Sequence, residues 1–262
     1  MADHPAILVF DSGLGGLTVL REIVKARPDA ACIYVADDAF FPYGHHTEDE
    51  IIGRVVPLIG ELIDQHRPRL VVIACNTAST LVMTHLRASY TVPFVGTVPA
   101  IKPACASSQT KRVSVLGTKG TVKREYTQRL IQDFSQGCEV TLVGAPHLAA
   151  LAEAALRGEA IADADIMAEM APCFLDGDAR TDTIVHACTH YPLLQDRLSA
   201  LAPWPVNWID PAPAIARRTA ELLGPAATVR RVAPRPRFLF TSGRPALADE
   251  LLAPFCGVRA VA

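Results

Sequence analysis

Residues 7–16, with the sequence ILVFDSGLGG, contain the pattern on which most of the chain is built. The four apolar residues 7–10 predict a buried strand, and the glycines after them predict a tight turn into a helix over residues 17–26. Further strands are predicted at residues 32–36 and 70–74, with helices over residues 51–65 and from residue 76 to about residue 86. Continuous apolar strands separated by amphipathic helices indicate a parallel sheet covered on both faces.

A second series with the same order follows. It contains predicted strands at residues 113–116, 139–143 and 182–187, and helices ending near residue 134 and spanning 148–156. In each series a glycine-containing turn follows the first strand, and a cysteine, Cys75 or Cys188, follows a later one. We therefore predict an α/β fold of two similar domains. Each is a mostly parallel sheet flanked by helices, and the two are related by pseudo-symmetry with the active site between them.

The domain boundaries are predicted from the proline-rich segments. The first domain is expected to comprise residues 1–97 plus 207–262 and the second residues 98–206, with crossovers around residues 92–103 and 203–205. Strands at 206–210 and 238–243 and helices at 213–223 and 246–252 are expected to complete the first sheet.

Composition and charge exclude several classes of protein. Half of the residues are hydrophobic and 20% are charged, with a formal net charge of −2, which is typical of a globular chain with a large core. No basic block favours nucleic acid as a partner. No apolar run reaches the roughly 20 residues that span a bilayer, so no membrane association is expected. The start lacks a signal-peptide pattern, and seven scattered cysteines indicate reduced thiols in the cytoplasm.

Ligands of open parallel sheets bind outside the carboxyl ends of the strands. In this chain those positions hold Asp11 and Ser12, Asp37 and Asp38, Cys75, Asn76 and Thr77, Gly117 and Thr118, and Cys188, Thr189 and His190. Cys75 and Cys188 are each expected at a junction between a strand and a helix, where helix amides stabilise a thiolate. The other cysteines lack this context and are interpreted as packing residues: Cys32, Cys105, Cys138, Cys173 and Cys256.

The remaining candidates each have a structural and a functional interpretation. Asp11 would repel a phosphate, so nucleotide binding is not expected. Its glycine-rich turn is either a tight turn that caps the helix, or it binds a carboxylate while Asp11 acts on a proton or an ammonium group. Thr118 and Thr121 either cap a helix or bind the ligand. His190, two residues after Cys188, is a candidate acid/base partner. By sequence alone, Glu153 is a solvated helix-face residue, and His147 and His186 are structural.

Five motifs together resemble the glutamate racemase branch of the aspartate/glutamate racemase family. In chain order they are DSGLGG at 11–16, PYG at 42–44, ACNTAS at 74–79, VPAIKPA at 98–104 and CTHYPLL at 188–194. Aspartate racemases, the alternative, share the two cysteines but usually carry Glu where His190 stands. Ala187 and Phe40 depart from the family's usual residues, and Phe40 is expected to alter the shape of the pocket entrance.

The resemblance implies an enzyme without a cofactor or metal that interconverts L- and D-glutamate for peptidoglycan synthesis, with dimers common in the family. It implies that Cys75 and Cys188 are the two bases and that Asp11, His190 and Glu153 assist them. It also implies that the amino acid is bound by Ser12, Pro42, Tyr43, Gly44, Asn76, Thr77, Thr118, Thr121 and Thr189.

Two bases on opposite walls let a proton leave Cα on one face and return on the other. We expect Asp11 to assist Cys75, His190 to assist Cys188, and fixed dipoles to stabilise the carbanion. Three other classes remain open. A pyridoxal-phosphate racemase would need Lys119 as its Schiff-base lysine, and a zinc hydrolase would use Cys75, Cys188, His190 and Asp11. A binding module would only capture an amino acid.

Overall fold

The computed structural model describes residues 6–226, 234–244 and 247–257. The chain divides into two compact units, Met1–Thr97 together with Ala212–Ala262, and Val98–Pro211. Each unit contains one parallel sheet with helices packed against it. In the three described ranges, no helix is both long enough and apolar enough to cross a membrane.

The first unit has a five-stranded sheet in the order β4-β3-β1-β2-β9, in which every neighbouring pair is parallel. Its strands are β1 (Ala6–Asp11), β2 (Ala31–Ala36), β3 (Leu70–Ile73), β4 (Phe94–Gly96) and β9 (Arg237–Phe240). Its helices are α1 (Leu17–Ala26), α2 (Glu48–His66), α3 (Asn76–Ser89), α10 (Ala212–Leu223) and α11 (Asp249–Leu252).

The central strands of this sheet are apolar because helices cover both faces. All four residues of β3 are buried, as are Ile7–Phe10 of β1. Helix α2 begins at a capping box in which Thr47 accepts from the Glu50 N–H and the Glu50 carboxylate accepts from the Thr47 N–H. Its buried face packs with α3 and the apolar side chains of the strands in one cluster. The expected strands and helices of the first series are therefore confirmed, with α2 starting three residues earlier than predicted.

The second unit has a four-stranded parallel sheet in the order β6-β5-β7-β8. Its strands are β5 (Arg112–Gly117), β6 (Glu139–Gly144), β7 (Thr183–Ala187) and β8 (Asn207–Ile209). Its helices are α4 (Ile101–Ser107), α5 (Lys119–Lys123), α6 (Glu125–Phe134), α7 (Leu148–Leu156), α8 (Asp163–Met170) and α9 (Gln195–Leu201).

The two sheets share one topology. In each, the first strand is central, the second lies on one side of it and the third on the other, and a short strand lies beyond the third. The order β4-β3-β1-β2 of the first sheet thus corresponds to β8-β7-β5-β6 of the second. The prediction of two similar α/β units, based on the recurring order of strands and helices, is confirmed.

Three details of the prediction are wrong. The strand at residues 206–210 was expected in the first sheet, but β8 pairs with β7, so residues 207–211 belong to the second unit. The first crossover does fall within the proline-rich segment 92–103, between Thr97 and Val98, but the return expected around residues 203–205 lies between Pro211 and Ala212. The first segment also contains β4 and the start of α4. The helix expected up to residue 134 is two helices that meet at Arg124. Of the helix expected at 246–252, residue 246 lies outside the described residues, and α11 covers its end.

Candidate active site

Cys75 lies between β3 and α3 and caps the helix with its sulfur. The Cys75 Sγ accepts a hydrogen bond from the Ala78 N–H at 3.5 Å, and it lies 3.5 Å from Ser12 Oγ. The thiol is buried, and the amide at the helix N-terminus favours its negative form. The predicted position of Cys75 at a strand-to-helix junction is therefore confirmed.

Asp11 ends β1, the strand that pairs with β3, and Ser12 follows it. Both side chains are buried, and the Asp11 carboxylate accepts from the Gly13 N–H at 3.0 Å. The turn closes tightly over Asp11, since a Cβ on Gly16 would stand 2.6 Å from the Asp11 Cβ. Glycine is therefore needed at position 16 for close approach, which favours a packing role for this glycine.

Tyr43 belongs to the loop after β2 and packs in the same buried cluster as Cys75. Its hydroxyl donates to Asp37 Oδ2 at 2.7 Å. Burial raises the pKa of Tyr43, as do the negative groups Asp37, Cys75 and Asp11. Pro42 and Gly44 on either side are half-buried. Phe40 packs edge-on against Tyr43, with ring centroids 5.9 Å apart, so this departure from the family pattern contacts the predicted substrate loop.

Asp37 anchors this loop, a role the sequence analysis missed. Its fully buried carboxylate accepts from Arg54 Nε at 3.1 Å and Arg54 Nη2 at 2.6 Å, and from the Thr241 hydroxyl at 2.7 Å, besides Tyr43. Burial raises the pKa of Asp37, but the hydrogen bonds from Arg54, Tyr43 and Thr241 outweigh burial and lower it. Asp37 was noted as a strand-end residue, but its partners are 17 and 204 positions away, and no local pattern connects them.

Asn76 is the first residue of α3, and its side chain is buried. Both its amide nitrogen and its amide oxygen lack a hydrogen-bond partner within the described residues. Buried polar groups without partners are rare in native proteins and cost free energy. A polar ligand would supply the missing partners, so Asn76 fits the predicted binding role. Its neighbour Thr77 is also buried.

In the second unit, Cys188 follows β7 and is one end of a row of hydrogen-bonded side chains. Its Sγ lies 3.7 Å from His190 Nδ1, and His190 Nε2 lies 3.0 Å from Glu153 Oε1. All three residues are buried. Burial lowers the pKa of His190, but the hydrogen bonds and charges of Cys188 and Glu153 outweigh it, so this pKa lies well above its usual value.

Two sequence interpretations of this row need correction. Glu153 is not a solvated helix-face residue, because its side chain is only 5% exposed and is bound to His190. Cys188 does not start an α-helix either, since the 3₁₀ turn Tyr191–Leu194 comes between it and α9. The imidazole of His190 is therefore a partner that can stabilise a Cys188 thiolate, and the Tyr191 hydroxyl also interacts with Cys188. Ala187, the second departure from the family pattern, pairs with Gly117 of β5.

Thr118 and Thr121 lie at the start of α5, beyond the end of β5. Thr118 Oγ1 accepts from the Thr121 N–H at 3.2 Å, and the two hydroxyl oxygens are 3.0 Å apart. This geometry confirms the capping interpretation of Thr118. Thr121 is buried, and so is Thr189 beside Cys188.

His147 is exposed at the start of α7, whereas His186 is buried against Trp208 and bonded to Gln195, which agrees with a structural role.

The other cysteines have different surroundings. Burial raises the pKa of Cys32, Cys105 and Cys173 to about 12. Such thiols are inert at neutral pH.

Lys119, which the pyridoxal-phosphate alternative required, is exposed. Among the described residues, no group of three or more His, Cys, Asp or Glu side chains converges on a possible metal position.

Within each unit, the sheet thus places the predicted residues at its carboxyl edge. Asp11, Ser12, Pro42, Tyr43, Gly44, Cys75, Asn76 and Thr77 follow strands of the first sheet. Thr118, Thr121, Glu153, Cys188, Thr189 and His190 follow strands of the second, with Glu153 on the helix after β6. Each unit therefore presents one cysteine surrounded by hydrogen-bonding groups.

Comparison with known proteins agrees with this arrangement. Residues 7–219 match the Asp/Glu/hydantoin racemase family. The chain is 57% identical to the glutamate racemase of Brucella canis over 225 residues, which cover 85% of this chain and 81% of that protein. The identity to the glutamate racemase of Brucella anthropi is 58% over 226 residues, covering 86% and 81% of the two chains.

Solved structures show the same similarity. Escherichia coli glutamate racemase, in complex with L-glutamate and the activator UDP-MurNAc-ala, matches with a TM-score of 0.86 and 40% identity, covering 96% of this chain and 94% of that one. Thermus thermophilus glutamate racemase, in complex with beta-chloro-D-alanine, matches with a TM-score of 0.75 and 28% identity, covering 96% and 94%. The chain therefore belongs to the Asp/Glu/hydantoin racemase family.

Proposed function

We propose that this enzyme interconverts L- and D-glutamate without a cofactor, using Cys75 and Cys188 as the two bases. One observation carries the proposal: each unit places a buried cysteine after a central strand, beside groups that can stabilise a thiolate. For Cys75 those groups are the Ala78 amide and Ser12, and for Cys188 they are His190 and, through it, Glu153. The mechanism requires the two sulfurs to reach opposite faces of Cα of one bound substrate.

The reaction is a proton transfer at each face. One cysteine, as thiolate, takes the Cα proton, and the other, as thiol, gives its proton to the opposite face of the carbanion. The roles exchange for the other enantiomer. A free thiol has a pKa near 8.5, so the site must raise the thiolate fraction at neutral pH. The helix amide supplies that stabilisation for Cys75, with Asp11 as its acid/base neighbour, and the imidazole of His190 supplies it for Cys188.

The carbanion is the difficult intermediate, since no imine is formed. We propose that fixed dipoles in a dry site stabilise it, and that these same groups bind the amino acid. Asn76 supports this part of the proposal, because its buried amide has donors and an acceptor without partners among the described residues. Ser12, Tyr43, Thr77, Thr118, Thr121 and Thr189, with the backbone of Pro42 and Gly44, are the other proposed contacts.

Glutamate is proposed as the substrate because the similar proteins named above are glutamate racemases, one of them solved with L-glutamate. His190 also fits the glutamate branch. Aspartate is the second candidate, on the family description alone. Supply of D-glutamate for peptidoglycan, a cytoplasmic location and a homodimer are further proposals. The proposed supply of D-glutamate for peptidoglycan is supported by the E. coli protein, since its activator UDP-MurNAc-ala is a muramic acid nucleotide.

The deciding experiment is a chiral assay with L-glutamate and with L-aspartate, without added cofactor, in deuterated water. We expect D-glutamate with deuterium at Cα, a much lower rate with aspartate, and no loss of activity after borohydride treatment or with EDTA. Cys75→Ser and Cys188→Ser should each lower kcat by at least a hundredfold, whereas Cys138→Ser should not. Near-normal rates from either of the first two variants would reject the two-thiol mechanism.

A further inference from the structure

Arg157 holds the carboxylate that binds His190. It caps the C-terminus of α7, four positions after Glu153, and its Nη2 donates to Glu153 Oε2 at 2.6 Å. His190 Nε2 lies 3.0 Å from the other oxygen, Oε1. The two partners therefore do not compete for one oxygen. The Arg157 side chain is 38% exposed while that of Glu153 is buried, so Arg157 connects a buried charge to the surface of the unit.

We propose that Arg157 is a positioning residue that sets, through Glu153, how tightly the Cys188–His190 pair holds its proton. The inference rests on the proposed function, which gives Cys188 a proton to exchange. Arg157 touches neither Cys188 nor His190 in the hydrogen bonds described, so it acts through the carboxylate. It does so by balancing part of the Glu153 charge and by holding Oε1 directed at Nε2.

The proton step shows why this matters. When Cys188 becomes a thiolate, its S–H bond breaks, the electron pair stays on sulfur, and the proton forms a bond with His190 Nδ1. The imidazolium keeps its Nε2–H, which donates to Glu153 Oε1. A carboxylate at this position stabilises the imidazolium, whereas a neutral carboxylic acid does so poorly. Arg157 balances part of the charge of this carboxylate, so that only the remainder acts on the imidazolium.

Removing the Arg157 cation has a definite sign. The full negative charge of Glu153 then acts on the Cys188–His190 pair, so the pair binds its protons more tightly. Both the acidic and the alkaline limb of the pH–rate profile therefore move to higher pH. An interacting charge at this distance changes a pKa by about one unit or more, so we expect a shift of about one pH unit.

Other titratable groups near the cluster must be considered. Tyr191, next to His190, is buried and donates to the Ala145 carbonyl oxygen at 3.2 Å. Burial raises the pKa of Tyr191, followed by the charges of Cys188 and of Glu169 on α8. Tyr191 therefore stays neutral, and Glu169, which accepts from the His147 N–H, is an anion that Arg157→Gln leaves in place. Neither group reverses the sign expected above.

The test compares Arg157→Gln and Arg157→Lys with wild type in glutamate racemisation from pH 5 to pH 10. Gln should shift both limbs upward by about one unit and lower kcat at the acidic end about tenfold. Lys should restore the profile, because it keeps the charge. The matched control is Arg129→Gln, which removes an exposed Arg–Glu pair of the same i, i+4 spacing on α6 and should change nothing.

A double variant separates this role from a structural one. In Glu153→Gln there is no carboxylate for Arg157 to hold, so adding Arg157→Gln should cause no further loss and no further shift. Additive losses, or a wild-type profile for Arg157→Gln, would overturn the inference.

A readout without substrate keeps the result separate from the proposed function. The His190 ring titration is followed by NMR in the intact protein and assigned with His190→Asn. In Arg157→Gln it should move to higher pH, and an unchanged titration would refute the role of Arg157. If wild type does not racemise glutamate, the proposed function fails, and the ring titration still decides what Arg157 does to His190.

Discussion

Arg54→Gln tests whether the Asp37 network stabilises the first unit. The substitution removes two of the four hydrogen bonds that the buried Asp37 carboxylate accepts, and it removes the cation beside it. Loss of one partner from a buried ion pair costs about 3–5 kcal/mol. The Arg54 side chain is 37% exposed, and Tyr43 and Thr241 continue to donate, so we discount this to about 1–3 kcal/mol.

The pH dependence of this loss follows from the lowered pKa of Asp37. A carboxyl group with a lowered pKa in the folded state adds stability above its unfolded pKa, and that stability is lost as the pH falls through the folded pKa. The difference between wild type and Arg54→Gln should therefore be full near pH 7 and shrink below about pH 4.

The assay is urea denaturation followed by circular dichroism and by tryptophan fluorescence. Both tryptophans, Trp204 and Trp208, lie in the second unit, so fluorescence reports on that unit and circular dichroism on the whole chain. We expect the loss in the circular dichroism transition, together with a raised KM, because Asp37, which holds Tyr43, loses two of its own hydrogen-bond partners. Arg218→Gln, which breaks an exposed ion pair in the same unit, should cost less than about 0.5 kcal/mol. An equal effect of the two substitutions at pH 7 would refute the reasoning.

Three further predictions concern the site. Asn76→Ala should raise KM strongly but leave the urea midpoint unchanged or slightly higher, because the buried amide makes no hydrogen bond with the described residues; a large stability loss would contradict this. Glu153→Gln should lower Tm most at acidic to neutral pH and less as the pH rises past the raised pKa of His190. The reason is that a raised pKa adds stability only while the group is protonated. A loss of Tm that grows with pH would have the wrong sign. Iodoacetamide at pH 8 should leave three thiols of the native protein unlabelled, as read by mass spectrometry, because burial raises their pKa to about 12: Cys32, Cys105 and Cys173. Rapid labelling of these thiols would contradict their burial.

The fold could be predicted wherever a segment carries its own periodic signal. The strands of both series are continuous apolar runs, and α1 was predicted at its observed bounds. The errors lie in short elements. β4 has three residues inside a proline-rich segment, and the three residues of β8 cannot show by themselves which sheet they join. β8 joins the second sheet because it pairs with β7, which lies 24 positions earlier in the chain. No local sequence pattern encodes that pairing.

The site divides in the same way. Cys75 and Cys188 could be identified because each directly follows a predicted strand, and His190 because it lies two residues after Cys188. Glu153 could not be identified from its own helix, since a single acid among alanines and leucines is also typical of a solvated helix face. What makes it a site residue is that α7 packs against the turn carrying His190, 37 positions away. The Asp37 network includes an even longer separation, the 204 positions between Asp37 and Thr241.

The two cysteines differ in how their thiolates are stabilised, and this difference has a consequence for pH dependence. The amide of Ala78 and the hydroxyl of Ser12 do not titrate between pH 5 and pH 10, so the support they give Cys75 is constant over that range. The support that His190 gives Cys188 depends on a proton. Because each turnover uses both cysteines, the pH limits of the second unit constrain both directions of the reaction. His190→Asn should therefore change the shape of the pH–rate profile with either enantiomer, whereas Ser12→Ala, which removes a constant hydrogen-bond partner of Cys75, should lower the rate and move a limb to higher pH without changing that shape. A change of shape in Ser12→Ala would show that the support of Cys75 by Ser12 also depends on a proton, and the assignment of the pH dependence to His190 would have to be abandoned.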